Sequence, residues 1–240
     1  MSVVPLDAPL DEIGGKAAGL AKLVRLGLPV PPAVVVPVSA RGVVEDPEGE
    51  VARLGEPLAV RSSAVGEDAL DRSAAGQFES LMGVTRSDLA DAVSRVFRSG
   101  RSERVRAYGQ ATSRMAVVIQ RQIDASRAGV AFSRDPVTGD EVVVVECVFG
   151  PGERLVSGQV MPDRFQVDEG GRVRARLVPK EGQRRLLRTL RDDEVHAVAG
   201  LVRRSEEGFG HPVDVEFCFE TRTLWLVQCR ALTVPRVATG

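Results

Sequence analysis

The chain has 240 residues, 43% of them hydrophobic, with 32 basic and 33 acidic side chains for a net charge of -1. That length buries a core as one large domain or two lobes, and so even a charge gives no bulk attraction to nucleic acid or to an acidic membrane surface. Three cysteines, an odd number without a C-x-x-C pair, argue against a disulfide framework and a zinc site.

The N-terminal MSVVPLDAPLDE lacks a basic segment followed by an apolar stretch, so it does not read as a signal peptide. No apolar run is long enough to span a bilayer, and a cytoplasmic location is expected. Lysine occurs only at Lys16, Lys22 and Lys180, and asparagine is absent. With abundant Ala, Val and Gly this points to a GC-rich bacterial coding bias, not to a function. In chain order, Ala17, Leu20, Leu23 and Val24 predict a helix over 15–26, ended by Gly27 and the prolines 29, 31 and 32. A strand over 33–38, an acidic surface loop over 41–57, a strand over 58–61 and a polar loop over 62–77 follow. A helix begins at Ser87, with Leu89, Val93, Val96 and Phe97 on one face. Strands are predicted over 115–120, 129–133, 141–147, 164–167 and 172–178, a helix over 192–207, and strands over 213–219 and 224–230. The change of texture places a boundary at 112/113. The thiols of Cys218 and Cys229 fall in strand-like runs and are expected to be buried and inert.

Three segments suggest chemistry. Gly14-Gly15-Lys16 opens the first helix, where glycines admit close approach and the helix start favours anions. It lacks Walker A spacing, and taken alone it reads better as a helix-start turn with an exposed lysine. Arg61-Ser62-Ser63 ends an apolar strand and leads through Glu67 and Asp68 to Gly76 and Ser80. Arginine pairs bidentately with phosphate, and a loop of small and hydroxyl residues can close over it. This run is too long and too ordered for an ordinary polar loop. In the last two strands Asp214 and Glu216 point away from Val213, Val215, Phe217 and Phe219, and Leu224, Leu226, Gln228 and Arg230 are expected to share a face. Oxygen ligands from Glu216 and Gln228 suit magnesium, with Arg230 beside it for phosphate. A solvated hairpin face accounts for this last pattern equally well.

In order along the chain, GGKAAGLAKLVRLGLPVPPAVVV, RSSAVGEDALDRSAAGQFESLMGV, MAVVIQRQI with AGVAFSRDPVTG, VFGPGERLVSGQVMPDRF, VDVEFCFE and LWLVQCRALT resemble the ATP-binding domain of the phosphoenolpyruvate synthase, pyruvate phosphate dikinase and rifampin phosphotransferase family. The resemblance implies an α+β ATP-grasp fold of two lobes, 1–112 and 113–240, with ATP between them. It implies that Lys16, Arg61 and Arg230 contact ATP phosphates, Arg61 and Arg230 catalytically. Gly76 and Ser80 would lie over the phosphates, and Gln120 on the strand leading to the adenine pocket. Glu216 and Gln228 would hold Mg2+, with Asp214 a helper.

The resemblance further implies an ATP-dependent phosphotransferase component whose acceptor is a separate histidine-bearing phosphocarrier domain. Neither His196, in a helical pattern, nor His211, in a Gly-Pro turn, stands in the family's glycine-rich Ser-His context. Two alternatives are a kinase or ligase acting directly on a small-molecule acceptor and a non-catalytic nucleotide sensor. The phosphate-directed groups argue against the sensor. For Glu216 and Gln228 to share a face by direct pairing, their connection must hold an odd number of residues, Glu220, Thr221 and Arg222 being the expected members.

Overall fold

Helix α1 covers Leu10–Arg25 but consists of two pieces joined at Gly14, whose φ of 74° and ψ of 178° are not helical. The second piece starts where the helix was expected. The computed structural model describes residues 3–46, 49–66, 80–99, 114–178 and 187–232. Among them no helix is long and apolar enough to cross a membrane.

The chain divides into two units, Met1–Ala21 with Pro31–Gln122, and Lys22–Val30 with Ile123–Gly240. In the first, β1 (Ala33–Val36), β2 (Leu58–Ala64), β3 (Ser80–Val84) and β4 (Met115–Arg121) form an antiparallel sheet in the order β1-β4-β2-β3. The expected boundary at 112/113 therefore moves to 122/123. Strand β4 pairs with β1 on one side and β2 on the other, so it cannot leave the first unit. The first strand stops at Val36 because Pro37 opens a 3-10 turn over Val38–Ala40. The loop expected over 41–57 contains helix α2 (Glu50–Leu54). Asp46 starts it, its carboxylate accepting the N–H groups of Glu50 (2.7 Å) and Val51 (3.0 Å). Five residues are too few for a readable helical period.

One face of this sheet carries Leu58, Val60, Ala64, Val117 and Ile119. Against it lie α2 and α3 (Leu89–Ser99), the latter through the predicted Leu89, Val93, Val96 and Phe97, all buried. Each such side chain contributes about 1.5–3 kcal/mol by leaving water. Strand β2 extends three residues past Arg61, so Ser62, Ser63 and Ala64 belong to the strand and not to the polar loop expected from residue 62. Residues 67–77 of that loop, Gly76 included, lie outside the described residues.

In the second unit β5 (Arg127–Phe132), β6 (Val143–Phe149), β7 (Asp163–Val167), β8 (Val173–Arg176), β9 (Val213–Glu220) and β10 (Thr223–Ala231) form a six-stranded antiparallel sheet, order β10-β9-β5-β6-β7-β8. A single-turn helix α4 (Glu153–Val156) and the long α5 (Asp192–Phe209) complete it. Val195, Val198, Ala199 and Val202 of α5 join Val213, Val215, Phe217, Phe219 and Leu226 in one core. Leu23 and Leu28 reach the same core, which is why residues 22–30 belong to this unit. Gly129 makes room there, since a Cβ on it would lie 2.6 Å from the tip of the Phe217 ring.

Candidate phosphate and magnesium site

The opposite face of the second sheet is polar. Its cross-strand rows follow from the register: Gln228, Glu216, Val130, Glu146, Arg164 and Arg176 in one, and Arg230, Asp214, Phe132, Val144, Gln166 and Arg174 in the next. Glu216 and Gln228 are thus direct partners on one face, as expected, but by a different route. The connection is a two-residue turn, Thr221-Arg222, with Glu220 paired to Thr223. A β-bulge between Leu226 and Gln228 supplies the odd residue, Val227. The bulge also splits the face expected for the last strand. Leu226 pairs with Phe217 and joins the core, whereas Gln228 and Arg230 turn to the polar side.

Thr-Arg is a poor hairpin turn by composition, and Thr221 takes a positive φ of 56°. Arg127 holds the turn from outside. Its Nη2 donates to the Thr221 carbonyl (3.0 Å), and its Nη1 donates to Glu194 Oε2 of α5 (2.7 Å). The guanidinium also lies 4.6 Å from the Phe219 ring centre.

Asp214 and Arg230 face each other across β9 and β10, with Arg230 Nε and Nη2 donating to Asp214 Oδ2 at 2.8 and 2.6 Å. Burial pushes the Asp214 carboxyl above its ordinary range. Arg230 opposes that rise and the nearby charge of Glu216 adds to it. Asp214 is therefore best placed to orient Arg230, and Glu216 and Gln228 are the neighbouring side chains that carry oxygen on the same face. A raised folded pKa means that this group favours folding most below its unfolded pKa and loses that contribution as pH rises through the folded value. Asp214→Asn removes the effect. The melting temperature of wild type minus that of the variant is expected to fall as pH is raised from about 3 to about 7, and a difference independent of pH would contradict it.

A second network on this face was not anticipated. Arg164 donates from Nη1 to Glu146 Oε1 (2.8 Å) and from Nη2 to Asp135 Oδ2 (2.7 Å), and Gln166 Nε2 donates to the same Asp135 oxygen (3.1 Å). Burial opposes ionisation of Asp135, but the N–H groups of Val137 and Thr138 and the Arg164 guanidinium outweigh it, and its pKa falls below the usual value. A charge at residue 146 within the apolar run VVVVECVF was the available signal.

In the first unit, alternation along β2 and β4 puts Arg61, Ser63 and Gln120 on the face opposite the α2–α3 core. Lys16 stands in the first turn of the second piece of α1, and the Ala17 N–H beside it donates to Ser63 Oγ (3.1 Å). Protein explains the first glycine of the pair: a Cβ on Gly14 would lie 2.6 Å from the Ser63 carbonyl carbon. Ser80 opens β3 directly opposite Arg61 and is exposed. Gln120 is buried, and its Nε2 donates to the Pro31 carbonyl (3.3 Å), tying β4 to the chain entering β1. Of the expected residues, Lys16, Arg61, Ser80 and Gln120 lie in the first unit and Glu216, Gln228 and Arg230 in the second.

The sequence matches the family described as pyruvate phosphate dikinase, AMP/ATP-binding domain, over residues 42–239. The chain belongs to that family. It is 35% identical over 212 residues to a rifampicin phosphotransferase of a Streptomyces species, covering 77% of this chain and 24% of that protein. It is 32% identical to the prodigiosin synthesizing transferase PigC of Serratia marcescens, over 92% of this chain and 32% of that one. It is 30% identical to a probable phosphoenolpyruvate synthase of Archaeoglobus fulgidus, over 75% and 27%. The chain thus spans about a quarter to a third of the length of these relatives. The D-alanine–D-alanine ligase of Bacillus anthracis, solved with ATP, superposes with a TM-score of 0.52 over 90% of this chain and 54% of that one at 11% identity. That likeness is one of fold, and the fold is ATP-grasp.

The residues fit what the family implies. Magnesium takes one or two carboxylates plus phosphate and water oxygens, and Glu216 with Gln228 would provide such an incomplete set. Among the described residues no group of three or more His, Cys, Asp and Glu forms a protein-only metal cage. The three cysteines are buried thiols, and burial pushes Cys147 up to about 12. His196 is engaged with the Gly171 carbonyl (2.8 Å), and His211 rests edge-on against Phe209.

Proposed function

We propose that this chain is the nucleotide-binding part of an ATP-dependent phosphotransferase, taking up Mg-ATP and delivering phosphoryl groups to a histidine-bearing domain in the cytoplasm of a bacterium. The pairing of Glu216 with Gln228 beside the Asp214–Arg230 pair carries the reading. Phosphoryl transfer asks a protein mainly for positioning and charge neutralisation. Magnesium held by Glu216 and Gln228 would neutralise phosphate charge. Arg230, oriented by Asp214, and Arg61 and Lys16 would bind phosphate oxygens, with Gly76 and Ser80 bordering them. Gln120, through its bond to the Pro31 carbonyl, would fix the strand leading to the adenine.

Arg61→Ala is expected to weaken ATP binding by about tenfold or more while leaving adenosine binding nearly unchanged, as befits a charge-assisted bond to phosphate. Calorimetric titration of both ligands measures this, and equal losses would make Arg61 a structural residue. The acceptor is tested by nucleotide chromatography. AMP formed only when a histidine domain is supplied supports the reading. ADP formed with a small molecule and no such domain would replace it with a direct kinase or ligase.

A further inference from the structure

We infer that Ser63 is a positioning residue for the phosphate-binding cations, one hydroxyl setting Lys16 and Arg61 relative to each other. The inference rests on the reading of Lys16 and Arg61 as phosphate-directed.

The second piece of α1 begins at Gly15, so Gly14 occupies the capping position and has no side chain to cap with. Ser63, distant in sequence, takes that role. Its Oγ, fully buried, accepts the N–H of Ala17, the third residue of the new helix and the one that a capping side chain ordinarily serves. The contact is close on both sides. The Gly14 backbone lies so near that a Cβ would stand 2.8 Å from Ser63 Oγ and 2.6 Å from the Ser63 carbonyl carbon.

Lys16 is the residue immediately before this bond on the helix, and Arg61 lies two residues before it on the same face of β2. Strand β2 is paired on both sides, by β3 and β4, so Arg61 is carried on a fixed rail. The helix start carrying Lys16 is attached to that rail through Ser63. A cap with only a structural role predicts a loss of stability and nothing else. A positioning role predicts in addition a loss confined to the phosphate part of the ligand.

The test compares Ser63→Ala and Ser63→Cys with wild type by titration with Mg-ATP, tripolyphosphate and adenosine. Cysteine fills the site with a somewhat larger atom that accepts hydrogen bonds weakly, so it serves even where the alanine variant does not fold. Dissociation constants for Mg-ATP and tripolyphosphate are expected to rise at least about fivefold, with adenosine within about twofold. Asp46→Ala, which removes the carboxylate that accepts the first two N–H groups of α2, is the control: it is expected to lower the melting temperature without this selective loss. Unchanged Mg-ATP binding in the Ser63 variants, or an equal loss for adenosine, overturns the inference. Lys16→Ala and Arg61→Ala are measured alongside. If they too show no phosphate-selective loss, the underlying reading fails, whereas selective loss in them but not at Ser63 sinks the inference alone.

Discussion

Glu216→Gln is expected to reduce phosphoryl transfer from ATP by about a hundredfold or more while the protein keeps its melting temperature. The side chain is half-buried on the polar face of the second sheet, directly opposite Gln228. Gln keeps its shape and an oxygen, and deletes the one charge that would neutralise magnesium there. The charge of Glu216 raises the pKa of buried Asp214 and so disfavours its ionisation, and the variant removes that penalty. Two measurements decide the outcome: turnover in the presence of the histidine domain, and the magnesium dependence of ATP affinity in this chain, which should flatten. Normal turnover at an unaltered melting temperature removes Glu216 from the site. A large drop in melting temperature assigns it a structural role.

Gly14→Ala is expected to give the largest loss of stability. At φ 74° and ψ 178° the residue occupies backbone space that side chains avoid, costing about 1–3 kcal/mol. The added methyl must also displace the Ser63 backbone, which endangers the Ala17–Ser63 hydrogen bond, so the total reaches roughly 3–5 kcal/mol. For a chain of this size the melting temperature should drop by about 10 °C. Gly27→Ala separates strain from collision. Gly27 also has a positive φ, 66°, but nothing lies within 4 Å of its added Cβ, so it should lose only about 1–2 kcal/mol. Equal losses at the two positions would mean that contact with Ser63 adds nothing.

The resemblance and the residue types together named the cations and oxygen donors, but the partners that hold them come from elsewhere in the chain. Ser63 was read only as part of a phosphate-binding run. Its service to Ala17 depends on strand β2 lying against α1, a contact 46 residues apart in sequence. Asp135 and Arg164 lie inside segments that carry the resemblance and Glu146 in the strand predicted over 141–147, yet the sequence singles out none of them, because their network joins β6 and β7 to the turn after β5. The boundary at 112/113 fell short because a texture change does not show that β4 is a central strand of the earlier sheet.

What the sequence determined by itself was periodicity and chemical type: the amphipathic faces of α3 and α5, the alternation of β9, and the order of family motifs that implied ATP-grasp. Hydrophobic period is a local property, so one chain suffices to read it. What only the tertiary structure decided was register. Parity arithmetic required an odd residue between Glu216 and Gln228, and the turn was its expected place. The extra residue is Val227, inside the strand, and the turn is Thr221-Arg222, held by Arg127 from β5 and anchored on α5. A bulge exchanges local ladder regularity for agreement between two faces, with Leu226 drawn into the core and Gln228 set opposite Glu216. That balance is struck among side chains distant in sequence.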